Sequence, residues 1–180
     1  MCDLLNINIA EADFSTMSLA EFRDAVTLRV YERKDELLKE LAKCREDTHK
    51  QEALKAEYAK HGDRSENAEY QAAVDALTSL AVTQQRIETK LTAYNAYDPN
   101  RQKGACIDIG SAVKMVSTAG TFMLVLTPSD ISDYKIGCIS VDSPIGRELM
   151  GMSYKEGSDI SITVNVSGTI SKYNITEVLL

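Results

Sequence analysis

Asp63, Glu66 and Glu69 stand at helical spacing inside the nine residues Gly62-Asp63-Arg64-Ser65-Glu66-Asn67-Ala68-Glu69-Tyr70. Carboxylates at such a place have two uses. They can accept backbone N–H groups at a helix start, or they can offer oxygen to a cation. The residue types suit the first use: Asp63 is a good N-cap, and Glu66 three positions on completes a capping box. Gly62 suits the left-handed residue that closes a preceding helix. The two uses compete for the same oxygens, so a tip acting on a metal must leave at least one carboxylate free. Glu69 reads as a solvated charge or a helix-start acid, and Tyr70 as a residue that closes the tip.

Two long helices must position these acids. The first is expected to start at Ser18, an N-cap with Glu21 at the capping-box position, and to run without Gly or Pro to about His61. Leu19, Phe22 and Val26 make an apolar face, and Leu37, Leu41 and Cys44 follow at coiled-coil spacing. The stripe then weakens through Thr48 and Gln51 before Leu54 and Tyr58. The second helix, about 66–97, places Ala73, Leu77, Leu80, Gln84, Ile87, Leu91 and Tyr94 at alternating steps of four and three. Asp98-Pro99-Asn100 ends it, because proline disfavours helix in the residue before it. The pair forms an antiparallel two-helix coiled-coil hairpin. From Leu37 to Gly62 it would reach roughly 39 Å at about 1.5 Å per residue, a probe with acids at its end.

After Gly104 β-branched residues and period-two patterning replace the helix formers. Strands are expected over Ala105–Ile109, Ala112–Ser117, Thr121–Thr127, Ile160–Val166 and Thr169–Leu179, with Ser167-Gly168 as a tight turn. One short helix interrupts them: Ser143 caps it, Pro144 suits its first position and Gly151 its end. The fold class is α+β. The domain plan is a leader (1–17, with Leu4–Ile9 either a strand or a loose tail), a hairpin (18–98) with its tip at 62–70, a linker (99–104) and a small body (105–180).

Bulk properties narrow the function. A net charge of −7 argues against coating nucleic acid by phosphate neutralisation, and no independent sequence-specific DNA binding is expected. Cys2, Cys44, Cys106 and Cys138 are far apart and form no Cys/His ligand set, so a zinc site is not expected and a reduced compartment is. The N-terminus lacks the pattern of a signal peptide, and no apolar run approaches the roughly 20 residues of a membrane span. A cytoplasmic location with no membrane partner follows. His49 and His61 lie on a long polar helix and read as surface residues.

Two motifs resemble the Gre transcript-cleavage factors of bacterial RNA polymerase. Gly62 to Tyr70 looks like the family's hairpin tip, with Arg64 closest to the GreB form. Ile139-Ser-Val-Asp-Ser-Pro-Ile-Gly-Arg-Glu-Leu-Met150 is similar to its C-terminal signature. The resemblance spans about residues 30–180; the first 20 residues depart from it. It implies a coiled coil that enters the polymerase's secondary channel and an FKBP-like body that docks at the rim. Asp63 and Glu66 would then help hold a second Mg²⁺ in the polymerase's own active site, so that backtracked RNA is cleaved near its 3′ end. Arg64, Asn67 and Tyr70 at the tip, and Ser143, Pro144 and Arg147 in the body, are candidate partner contacts. Ser143 and Pro144 also have a sufficient explanation as a helix start.

The chemistry fits that implication. Mg²⁺ takes about six oxygens and usually one or two carboxylates from a given protein. Two acids on a convex tip make half a site and bind no metal tightly alone. The chain is therefore expected not to be an enzyme itself. Alternatives are a channel-binding inhibitor of RNA polymerase without cleavage stimulation and a coiled-coil adaptor or chaperone-like protein. Between Glu66 and Tyr97 the only cations are Arg86 and Lys90, few for a face that holds long backtracked RNA.

Overall fold

A computed structural model describes residues 17–60, 68–99, 106–131, 136–158, 160–166 and 169–180, with the side chains of Val166 and Thr169 excepted. The leader strand considered at Leu4–Ile9, the tip acids Asp63 and Glu66, and the Ser167-Gly168 turn lie outside the described residues.

Helix α1 spans Leu19–Tyr58 and α2 spans Ala68–Ala96. The start of α1 is the expected capping box: the Glu21 backbone N–H donates to Ser18 Oγ at 3.3 Å, and the Ser18 N–H donates to Glu21 Oε2 at 2.9 Å. These bonds hold the Glu21 carboxyl below its ordinary range, the backbone donor of Ser18 first and its hydroxyl second. Strands β1 (Ala112–Ser117), β2 (Gly120–Thr127) and β3 (Cys138–Ser140) follow, then α3 (Pro144–Leu149), β4 (Ile160–Val166) and β5 (Thr169–Leu179).

The strands form one mixed sheet in the order β3-β2-β1-β5-β4. β3 runs parallel to β2, and the remaining pairs are antiparallel. Between Lys114 and Met115 the β1–β5 register shifts, and the Thr176 hydroxyl donates to the Lys114 carbonyl at 3.1 Å. A bulge of this kind raises local twist and curls a sheet. The β4–β5 ladder runs from Ile160 opposite Ile175 to Val166 opposite Thr169. Of the expected strand Ala105–Ile109, the described residues 106–109 form no ladder: Cys106 makes an isolated bridge to Ser153. Conversely, β3 was not anticipated, since three residues carry no measurable period.

The chain divides into two compact units, residues 1–32 with 93–180, and residues 33–92. In the first, the body, one face of the sheet packs Val113, Met115, Leu124, Leu126, Ile162 and Ile175 against Ile107 and the α3 residue Leu149. The base of α1 belongs to this unit, with Phe22, Val26 and Val30 fully buried. A Cβ on Gly137 would strike the Phe22 ring and the Met123 carbonyl, which places Phe22 against the β2–β3 end of the sheet. Thr27 and Tyr97 share a buried hydroxyl–hydroxyl bond of 2.9 Å, and Tyr94 Oη donates to Asp130 at 2.7 Å. In the second unit, the arm, α1 and α2 pack along a seam that includes Leu37, Leu41, Cys44, Ile87 and Leu91, all buried.

Candidate functional site

Two places in the chain carry the sequence-derived site residues, and they lie in different units. The first is the end of the arm. Residues Asp63, Arg64, Glu66 and Asn67 fall outside the described residues, and Tyr70 is inside, in the first turn of α2. Its ring is half-buried and faces Lys55 of α1, whose Nζ lies 5.9 Å from the ring centroid. A cation over an aromatic face at this distance is attracted by the ring quadrupole, so Lys55 and Tyr70 clasp the two helices. Beside them a groove of about 420 Å³ is lined by Glu52, Lys55, Ala56, Ala59, Tyr70 and Leu77.

Sequence spacing misplaced one seam residue here. Leu54 is 37% exposed, and Lys55 occupies the half-buried position instead. Stepping from Cys44 by four and three reaches Thr48, Gln51, Lys55 and Tyr58. The apolar residue one position away points outward. His49 is exposed and sits 3.4 Å from Glu52. Among the described residues no group of three or more His, Cys, Asp or Glu side chains could hold a metal ion.

The second place is the turn from β3 into α3. Ser143 caps α3: its Oγ accepts from the Gly146 N–H at 3.0 Å and donates to the Ser140 carbonyl at 2.7 Å. The Ser140 Oγ accepts from the Asp142 N–H at 3.1 Å, and the Asp142 carboxylate accepts from the Ser129 hydroxyl. Pro144 fills the first helical position, where its missing N–H has no helical partner to lose. Gly146 is required by contact: a Cβ there would collide with the Ser140 carbonyl and come within 3.0 Å of Val141 Cα. Gly151, at φ 75°, closes the turn after the helix, as its type suggests.

On this braced turn Asp142, Pro144, Arg147 and Glu148 are exposed. Arg147 is held through its backbone, which donates to the Ser143 carbonyl at 2.9 Å, and its side chain projects outward. Ser143 is thus spent on the cap, while Pro144 and Arg147 are available to a partner. The supports Ser129 and Ser140 were not singled out from sequence. Ser129 lies 13 residues from Asp142, a separation with no local signature.

Comparison with known proteins covers both units. Residues 25–95 match the family described as transcription elongation factor, N-terminal, and residues 102–179 match transcription elongation factor, GreA/GreB, C-term. Transcription elongation factor GreA of Polaromonas naphthalenivorans is 36% identical over 121 residues, 66% of this chain and 74% of that protein. The same-named protein of Bartonella tribocorum is 33% identical over 147 residues, 79% of this chain and 91% of its own length. Among solved structures, the transcription elongation factor GreA/GreB of Nitrosomonas europaea superposes with a TM-score of 0.35 at 20% identity, over 61% of this chain and 93% of that one.

Proposed function

The chain belongs to the GreA/GreB family of transcription elongation factors, and from that membership we propose that it is a transcript-cleavage factor for a bacterial-type RNA polymerase. The arm enters the polymerase's secondary channel while the FKBP-like body docks at its rim. One observation carries this reading: Asp63 and Glu66 of the Gly62–Tyr70 motif fall in sequence between the end of α1 at Tyr58 and the start of α2 at Ala68, in a chain matched to the family in both halves.

Asp63 and Glu66 each contribute carboxylate oxygen to a Mg²⁺ shared with the polymerase active site. Two carboxylates cannot complete six-coordination, so the partner's acids, phosphate oxygen and water supply the rest. Held there, a second metal would supply water activation and charge stabilisation for the in-line displacement that cuts the RNA behind its backtracked 3′ end. The chain is a factor and the polymerase is the catalyst. Arg64, Asn67 and Tyr70 line the approach to the RNA end, and Pro144 and Arg147 contact the rim from the surface that Ser143 holds in shape. The working place is the cytoplasm, where the polymerase is.

The test is an assay on stalled, backtracked elongation complexes. Wild-type protein should stimulate cleavage. Asp63→Ala and Glu66→Ala should each return it to the unstimulated rate while retaining polymerase binding. Wild-type protein that blocks synthesis without stimulating cleavage would replace this reading with that of a channel-binding inhibitor. Failure to bind polymerase at all would leave an adaptor role.

A further inference from the structure

The arm is built from two helices of unlike self-sufficiency, joined by a seam that weakens along its length. In α1 the seam positions Leu37, Leu41 and Cys44 are buried. The next four, Thr48, Gln51, Lys55 and Tyr58, are only half-buried, and three of them are polar. In α2, Ile87 and Leu91 are buried, while Gln84, Leu80 and Leu77 are half-buried and Ala73 alone is buried beyond them. The distal seam therefore removes little apolar surface from water, the main source of helix–helix adhesion.

The helices differ in what remains if that seam opens. α1 carries its own lateral support here: Lys50 Nζ is 2.6 Å from Glu46 and 3.6 Å from Asp47, while Arg45 below them pairs across the seam with Glu88 of α2 at 3.1 Å. Opposite charges three and four apart stabilise even an isolated helix. α2 has Val74, Thr78, Ser79, Val82 and Thr83 over the matching stretch. Beside them the lateral support is the Gln71–Asp75 bond of 3.2 Å. The hydroxyls of Thr78, Ser79 and Thr83 donate back to the carbonyls of Val74, Asp75 and Ser79 at 2.9–3.0 Å, a longer run of such bonds than that of Thr48 to Cys44 in α1 or of Thr89 and Thr92 lower in α2. Such back-bonding slightly destabilises and bends helices, and β-branched residues lose rotamer freedom in them.

We propose that the distal part of α2, from Ala68 to about Thr83, is a releasable strap that detaches from α1 and re-docks, while α1 stays helical as its rail. The Lys55–Tyr70 contact is the clasp at the strap's outer end, and an open groove lies beside it. Cys44, whose thiol donates to the Leu80 carbonyl at 3.5 Å, marks the hinge level. This is a property of the arm by itself and holds whether or not the chain stimulates RNA cleavage.

Hydrogen exchange on the full-length free protein, read by mass spectrometry, tests it. Amides at 72–82 should exchange at least about tenfold faster than those at 86–92 and faster than those at 46–56 of α1. The seam-repairing variant Thr48→Leu/Gln51→Leu should slow 72–82 several-fold. So should Thr78→Ala/Ser79→Ala/Thr83→Ala, which changes only exposed positions and leaves the fold intact. Equal protection of 72–82 and 86–92 in the wild-type protein would overturn the proposal. Exchange of 46–56 as fast as 72–82, or indifference of 72–82 to both variants, would do the same.

Discussion

Between Leu19 and Val30, α1 buries Leu19, Phe22, Val26 and Val30 to 4% exposure or less, whereas no residue between Thr48 and Tyr58 of the same helix is buried. The sequence places an apolar face on the first stretch and a weakened stripe on the second. The difference lies in what faces them. The base of α1 belongs to the body, where Phe22 lies against Gly137 and Thr27 shares a hydroxyl bond with Tyr97. The distal stretch belongs to the arm, whose seam there is half-open. A helix acquires most of its stability from the surface it is given to cover, and propensity decides little by comparison.

The contrast is sharpest in truncation. Phe22→Ala should cost about 3–5 kcal/mol, the usual range for a buried aromatic side chain, and lower the body's unfolding midpoint in urea. Leu54→Ala on the same helix should fall within about 0.5 kcal/mol of wild type, as surface substitutions do. Equal losses at the two positions would erase the distinction between body and arm.

A smaller effect is expected in the body's display turn. Ser143→Ala removes the cap of α3 and should cost about 1 kcal/mol, with Ser143→Gly costing only a few tenths. Because Gly146 and Ser129 still brace the turn, the loss should appear in chemical unfolding, with the exchange of arm amides unchanged. A matching change in the arm would mean that the cap acts beyond its own unit.

The smallest effect is one of pH. Burial pushes the Tyr97 phenol up to about 12 from the ordinary 10, while its bond to Thr27 pulls the other way. A raised value means that the folded chain keeps this proton after the unfolded chain has released it. The stability involved is whole below pH 10 and declines as pH rises from 10 toward 12. Tyr97→Phe should cost about 0.5–1.5 kcal/mol at neutral pH for the lost hydrogen bond and should flatten the decline between pH 10 and 12. An undiminished slope in the variant would assign the decline to other groups.

Local chemistry made some of this legible in advance. The Ser18–Glu21 box, the Ser143-Pro144 start and the Gly151 stop are short-range devices, and each forms as its residue types require. The four-and-three stepping of Ile87 and Leu91 likewise announced a buried seam. What escaped depends on distance in sequence. β3 exists because Cys138, Ile139 and Ser140 pair with Val125, Leu126 and Thr127, which no window of three residues reveals. Residues 106–109 carry strand-like types, but among the described residues their bridge partner is Ser153 alone, opposite Cys106. Leu54 misled because hydrophobicity was weighed ahead of phase, and phase put the stem of Lys55 in the seam. The tip acids are legible only as types and spacing, since 61–67 lie outside the described residues.

Gly137 leaves one consequence for anyone altering this chain. Its φ of 69° and the Phe22 ring and Met123 carbonyl beside it leave no room for even a methyl group. A side chain introduced there would act as a wedge, prising the root of the long helix from the floor it rests on without touching any residue of the arm. That makes Gly137 the place to ask, with one codon, whether the rod needs its anchorage to do its work.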